Sequence, residues 1–282
     1  MAIFTGFAAN APRLYSASTR RQTVTYMKPF FRQPIDDVVA CLEPIVTIKN
    51  PARALIPLFL SLVVSWVVYV PIHELLHALD CVVTGGDVTR LEISPRYGGT
   101  LLAESGWFPF VVPGGEYAGR LSGFDTKGSD FCYLMTDFAP FVLTVLFGVT
   151  LLKLAGRKRR PILFGTAIVV GLAPFYNIPG DYFEMGSITT TRLLTFLRGG
   201  GNPPIFEKLR SDDIFKLIGQ LCSEPAELGL QGGGDIAVAV PIILVSLAFA
   251  LLFAFATYWL GHYVSRVFLR ERGSAVSVRT VP

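Results

Sequence analysis

The stretch from Ile236 to Leu260 runs 25 residues without a charged side chain. A helix needs roughly 20 consecutive apolar residues to cross the hydrocarbon of a bilayer, so this segment alone commits the chain to a membrane environment. It closes on Tyr258 and Trp259, whose amphipathic rings suit the headgroup region. The composition agrees: 51% of residues are hydrophobic and 16% charged, and mean hydropathy is +0.50, whereas soluble domains carry roughly 25% charged residues. The expected fold class is an α-helical integral membrane protein.

Three further segments extend the count to about four transmembrane helices. The first runs from Ala54 through His77 to about Val83, with Pro57 in its first turn and Pro71 inside it, where a proline kinks a helix and frees a carbonyl. The second spans Phe138 to about Leu154 and stops at Gly156-Arg157-Lys158-Arg159-Arg160; the third follows from Pro161 to about Ile178. The positive-inside rule places that basic loop in the cytoplasm, and counting spans puts both basic tails there too. Between Asp87 and Asp137, short β-prone pieces (88–93, 100–103, 108–112 and 117–121) alternate with Gly and Pro turns, which predicts a small β-rich insert between the first two spans, possessing an edge that could receive an extended peptide.

The remaining divisions are less apolar. Residues 1–53 read as a basic tail, or a transit peptide, followed by a short interfacial helix from Asp36 to Lys49. Residues 186–235 read as an extramembrane loop with helices at 187–197, beginning at Ser187, and 211–221, capped by Ser211; residues 236–282 hold the last span and a basic tail with Arg266, Arg270 and Arg272. Net charge is only +4, with the basic residues beside apolar segments, so nucleic-acid binding does not explain them. Cys41, Cys81, Cys132 and Cys222 are scattered and form no metal or disulfide spacing.

The chemistry is concentrated in His73-Glu74-Leu75-Leu76-His77, at the end of the first span. On a helix, residues four apart share a face, so both imidazoles can bind one Zn2+ while Glu74 lies beside them as a general base. The structural alternative is an interfacial helix end, but ionisable groups in a span are costly unless they pair or bind something. His262 is the only other histidine, so a third ligand must offer oxygen or sulfur, and a carboxylate brought alongside by another span is expected. Asp181, in Asn177-Ile178-Pro179-Gly180-Asp181 at the end of the third span, arrives on the same side and leads; Glu184, Asp137 and, least favoured, Asp80 are rivals. Asn177 lies where its amide could donate to an oxyanion or a substrate carbonyl. His262, at the far end, fits an interfacial role.

Residues 54–185 resemble the site-2 protease family of intramembrane zinc metalloproteases, through the HExxH in the first core span, the strand-like insert and a third span ending in an Asn/Pro/Asp cluster. The resemblance implies a metalloprotease-like membrane core in which His73, His77 and Asp181 bind zinc, Glu74 activates water and Asn177 lies near a transmembrane protein or peptide substrate, in a multi-pass protein of the bacterial inner membrane. Two features depart from the family. The Asn-to-Asp spacing is compressed with the order Gly180-Asp181, and the positive-inside count places the site opposite the basic loop. Two other functions fit the same residues: a non-proteolytic membrane subunit with a structural metal site, and, with less support from a single histidine pair, a metal transporter.

Overall fold

The computed structural model describes residues 30–47, 51–201, 204–210, 213–223, 226, 228 and 233–274. The N-terminal tail before residue 30, the Ser211 cap and the C-terminal tail beyond residue 274 lie outside the described residues, as do the side chains of Arg270 and Arg272.

Three helical stretches are long and apolar enough to cross a membrane: Pro51–Val83, Asp130–Lys158 and Ile236–Leu269. The first is helix α2 (Pro51–Val83), which follows α1 (Gln33–Val46) and runs unbroken through Pro57 and Pro71. Along its first half Phe59, Leu60, Val63 and Val64 point outward, as lipid-facing side chains do, because no hydrophobic effect rewards covering them in a bilayer.

The insert forms a three-stranded sheet of order β2-β1-β3, from β1 (Asp87–Ile93), β2 (Val111–Pro113) and β3 (Gly119–Asp125). Strand β1 pairs parallel to β2, with Leu91 opposite Val111, and antiparallel to β3, with Ile93 opposite Gly119. Leu91 and Ile93 point to one face, as alternation in a strand requires, and pack with Val111 and Ala78 of α2 in a small core. The sequence expectation fails at 100–103, where the chain forms the short helix α3 (Gly99–Glu104): Gly98, at φ 85°, turns the chain, and its carbonyl accepts from the Leu102 N–H. This helix is the crossover that a parallel β1–β2 pair requires, so the insert is not a simple hairpin.

The second apolar stretch is a composite. Helix α4 (Asp130–Phe138) begins at Ser129, whose hydroxyl accepts from the Cys132 N–H, passes through a 3-10 turn at Ala139–Phe141 and a π-helical turn at Thr144–Gly148, and continues as α5 (Val149–Lys158). It thus begins eight residues before Phe138. The segment expected to cross at 161–178 is divided into α6 (Pro161–Gly171), α7 (Ala173–Tyr176) and a π-helical turn at Ile178–Tyr182. Pro174 and Pro179 explain the divisions, since neither can donate a helical hydrogen bond. The Ser65 hydroxyl donates to Thr166 at 2.8 Å and joins α2 to α6.

Beyond the turn lie α8 (Phe183–Leu197), α9 (Pro204–Lys208), α10 (Ile214–Ser223) and the long α11 (Gly233–Ser274). The first half of α8 is buried and lies along α11, so closely that a Cβ at Gly186 would be 2.2 Å from the Ser246 carbonyl oxygen. Phe183, Ala250, Ala254 and Tyr182 contribute to the largest core cluster. At the other end, Cys41 and Ile45 of α1 pack with Ala54, Leu152 and Phe164.

Candidate metal centre

Helical periodicity puts His73 and His77 on one face of α2, and both are buried. Their Nε2 atoms are 3.1 Å apart. The other ring nitrogens are held from behind. His77 Nδ1 is 2.7 Å from the carbonyl oxygen of Thr136, and His73 Nδ1 is 3.1 Å from the Tyr69 hydroxyl. A carbonyl can only accept, so His77 carries its proton on Nδ1 and turns an unprotonated Nε2 inward. Thr136 is available for a reason written in the sequence: its α-helical donor would be the N–H of residue 140, which is Pro140 and has none.

Asp181 is delivered by the break in the helix. Gly180 adopts φ −101° and ψ −112°, outside the helical region, and swings the next residue toward α2. Asp181 Oδ2 then lies 3.2 Å from His73 Nε2, and Oδ1 lies 3.7 Å from His77 Nε2. The adjacent Tyr182 is fully buried and donates to the Thr257 hydroxyl of α11 at 2.9 Å, which fixes the turn against the last helix.

Each of His73, His77 and Asp181 offers one ligand atom, all within 4.8 Å of one another, and no other cluster of this kind occurs among the described residues. The donor set fits a cation. Bonds of the usual zinc length in a tetrahedron place neighbouring ligand atoms roughly 3.4 Å apart, close to the separations seen. Moreover, Asp181 Oδ2 is buried with no well-directed hydrogen bond, and the inward lone pair of His77 meets a carboxylate, an arrangement that repels unless positive charge is present. Hydrogen bonds to Nδ1 from behind are the usual second layer of support for a histidine ligand.

A cavity of about 450 Å³ opens onto these atoms. Glu74 lines it, half-buried, with its side chain against β3: a Cβ at Gly119 would be 2.3 Å from Glu74 Cγ and 2.9 Å from Oε1. Asn177 also lines it, its amide nitrogen donating to the Ala173 carbonyl at 3.0 Å. Of the rival carboxylates, Glu184 and Asp137 are buried in the cavity wall, Glu184 receiving a hydrogen bond from Tyr133, whereas Asp80 does not reach the cavity. Within the metal cluster, only Asp181 joins the two histidines.

His262 is remote from this site and is buried, beside Asp37 and Lys153, instead of lying free at an interface. The sequence reading missed Tyr69, Thr136 and Gly119. Tyr69 stands four residues before His73, so helical spacing could have found it; the other two depend on tertiary contacts. No family model, curated protein or solved structure matches this chain.

Proposed function

We propose that this chain is a multi-pass zinc metalloendopeptidase of the site-2 protease type, hydrolysing a peptide bond in or near the transmembrane segment of a membrane-protein substrate. The observation that carries this reading is the convergence of His73, His77 and Asp181 at ligand spacing with Glu74 in the same cavity. In this reading α6 and α7 together provide a fourth crossing, spanning about 24 Å at 1.5 Å per residue.

His73, His77 and Asp181 would hold the ion. Zinc bound there would supply Lewis-acid chemistry, acidifying water and polarising a carbonyl oxygen. Glu74 acts as the base, taking the proton of the attacking water on its carboxylate and returning it to the departing amine nitrogen. Asn177 stands on the cavity wall as a hydrogen-bond donor for the substrate backbone. A substrate helix must first unwind, because its carbonyls are shielded by their own hydrogen bonds. Strand β3 supports this step: it is an edge strand of the described sheet, and Gly119 to Ser122 line the cavity, so an extended peptide can pair beside Glu74.

The test compares wild type with Glu74→Gln, each reconstituted in proteoliposomes with a library of single-pass transmembrane peptides. Zinc is measured by mass spectrometry of the metal and cleavage by mass spectrometry of the peptides. The expected result is equal zinc in both and cleavage by wild type alone. Equal cleavage by both proteins would exclude this mechanism.

A further inference from the structure

At the end of the molecule away from the metal ligands, a second cavity of about 370 Å³ is lined by Lys153, Arg157, Ser265, Arg266 and Leu269. Three cations from two helices, α5 and α11, converge there and no carboxylate lines it. The nearby acid is Asp37 of α1, whose Oδ2 is already engaged by His262 Nδ1 and the Tyr258 hydroxyl, each at 3.0 Å. Among the described residues that meet there, three positive side chains stand beside one carboxylate. Among the described residues, neither Arg157 nor Arg266 has an ion-pair partner.

Lys153 distinguishes this arrangement from an ordinary fringe of membrane-edge charges. A lysine near a span end normally extends its ammonium into water. Here the side chain turns inward and donates to Ser265 Oγ at 2.7 Å, with Ser265 itself fully buried. An ammonium has three donors. One goes to Ser265 and His262 Nδ1 lies 3.1 Å from Nζ, so at least one of the three faces the cavity without a protein acceptor among the described residues. The guanidinium groups of Arg157 and Arg266 remain exposed at the mouth, with the planar fork geometry that suits phosphate oxygens.

We infer that this cavity binds the headgroup phosphate of an anionic phospholipid. The setting favours a lipid over a free ion: Arg157 and Arg266 stand in the last turn of the two apolar stretches Asp130–Lys158 and Ile236–Leu269, where a bilayer's headgroups would meet them, and Leu269 adds an apolar side chain to the cavity wall. Headgroup charge against Lys and Arg, and chains against exposed apolar residues, is the pairing that holds lipids at membrane proteins. The inference does not depend on the chemistry of the metal centre.

The experiment uses the full chain in phosphatidylcholine nanodiscs, with and without phosphatidylglycerol, and measures retained lipid by native mass spectrometry. Wild type is expected to retain phosphatidylglycerol selectively. The double variant Arg157→Gln/Arg266→Gln is expected to hold it about 30-fold more weakly, two surface cations being removed. Arg53→Gln, at the start of α2 and outside the cavity, serves as the control and should bind as wild type does. An equal loss in Arg53→Gln would reduce the effect to general surface charge and overturn the site. Inorganic phosphate, added as a competitor, should not displace the lipid at millimolar concentration; full displacement would assign the cavity to a soluble anion, absence of preference between the two lipids would show that no anionic headgroup is selected, and either would overturn the lipid reading.

Discussion

The Nδ1 of His77 lies 2.7 Å from the carbonyl oxygen of Thr136, the position whose helical partner is Pro140. A proline in one span therefore orients an imidazole in another. Restoring an N–H at residue 140 creates a competitor for that carbonyl. Pro140→Ala is expected to weaken zinc binding about tenfold, the lower end of what losing support behind a histidine ligand costs, while leaving secondary structure unchanged. Competition with a chromophoric chelator measures the affinity; an affinity equal to wild type would show that the Thr136 contact does not hold the ring.

Gly119 and Glu74 share a boundary that admits no methyl group. Overpacking of this kind typically costs about 1–3 kcal/mol and is relieved by moving the more flexible side chain, which here is Glu74. Gly119→Ala is expected to retain zinc and lose most peptide cleavage. A variant that cleaves at the wild-type rate would mean that β3 retreats instead, and that Glu74 keeps its place.

The third ligand can be separated from its neighbours by charge-neutral replacement. Asp181→Asn should abolish tight zinc binding, because one strong anionic ligand is lost from three. Glu184→Gln and Asp137→Asn should bind zinc as wild type does, since neither carboxylate joins the two histidines in the cluster. Zinc content after dialysis decides the matter. Loss in Glu184→Gln with retention in Asp181→Asn would transfer the role.

Asp37 governs a pH dependence at the opposite end of the bundle. Burial pushes its carboxyl upward, but the hydrogen bond from His262, the charge of Lys153 and the hydrogen bond from Tyr258 together hold it below the ordinary value of 3.8. A depressed carboxyl stabilises the fold above its unfolded pKa, and that stabilisation is lost as pH falls through the folded value. Asp37→Asn should therefore destabilise the fold at neutral pH by about 1–3 kcal/mol, as expected for a partly buried charge-assisted network, read as a lower midpoint of thermal unfolding in detergent, and the difference from wild type should vanish in strong acid. A gap that persists there would point to shape instead of charge.

The pair His73 and His77 was legible because its chemistry follows from local spacing, and Asp181 because a span must bring its end to one side or the other. Helix α8 was not legible as a buried element. Its Ser and Thr residues look polar in sequence, yet Ser187, Thr189, Thr190, Thr191 and Thr195 each turn the hydroxyl to a carbonyl three or four residues back at 2.8 Å. Hydroxyls satisfied by their own helix leave a surface that packs as apolar. The broken third segment was missed for a related reason: composition measures how well residues 161–178 suit lipid, whereas Pro174, Pro179 and Gly180 decide whether they form one rod. In the insert, residues 100–103 read as a strand only from their β-prone neighbours; Leu101, Leu102 and Ala103 are good helix formers, and after the left-handed Gly98 they form one.

Tyr182, next in sequence to Asp181, is anchored on Thr257 of α11. Ribosomal synthesis makes the histidines first, then the aspartate, and the anchor some seventy-five residues later. Until α11 has been made and has docked, the turn at Gly180 packs on Phe141 through Tyr182 but lacks the hydrogen bond to Thr257. Under the proposed function, metal capture is thus expected at the close of biogenesis, and a nascent chain carries both imidazoles through insertion without the complete ligand set.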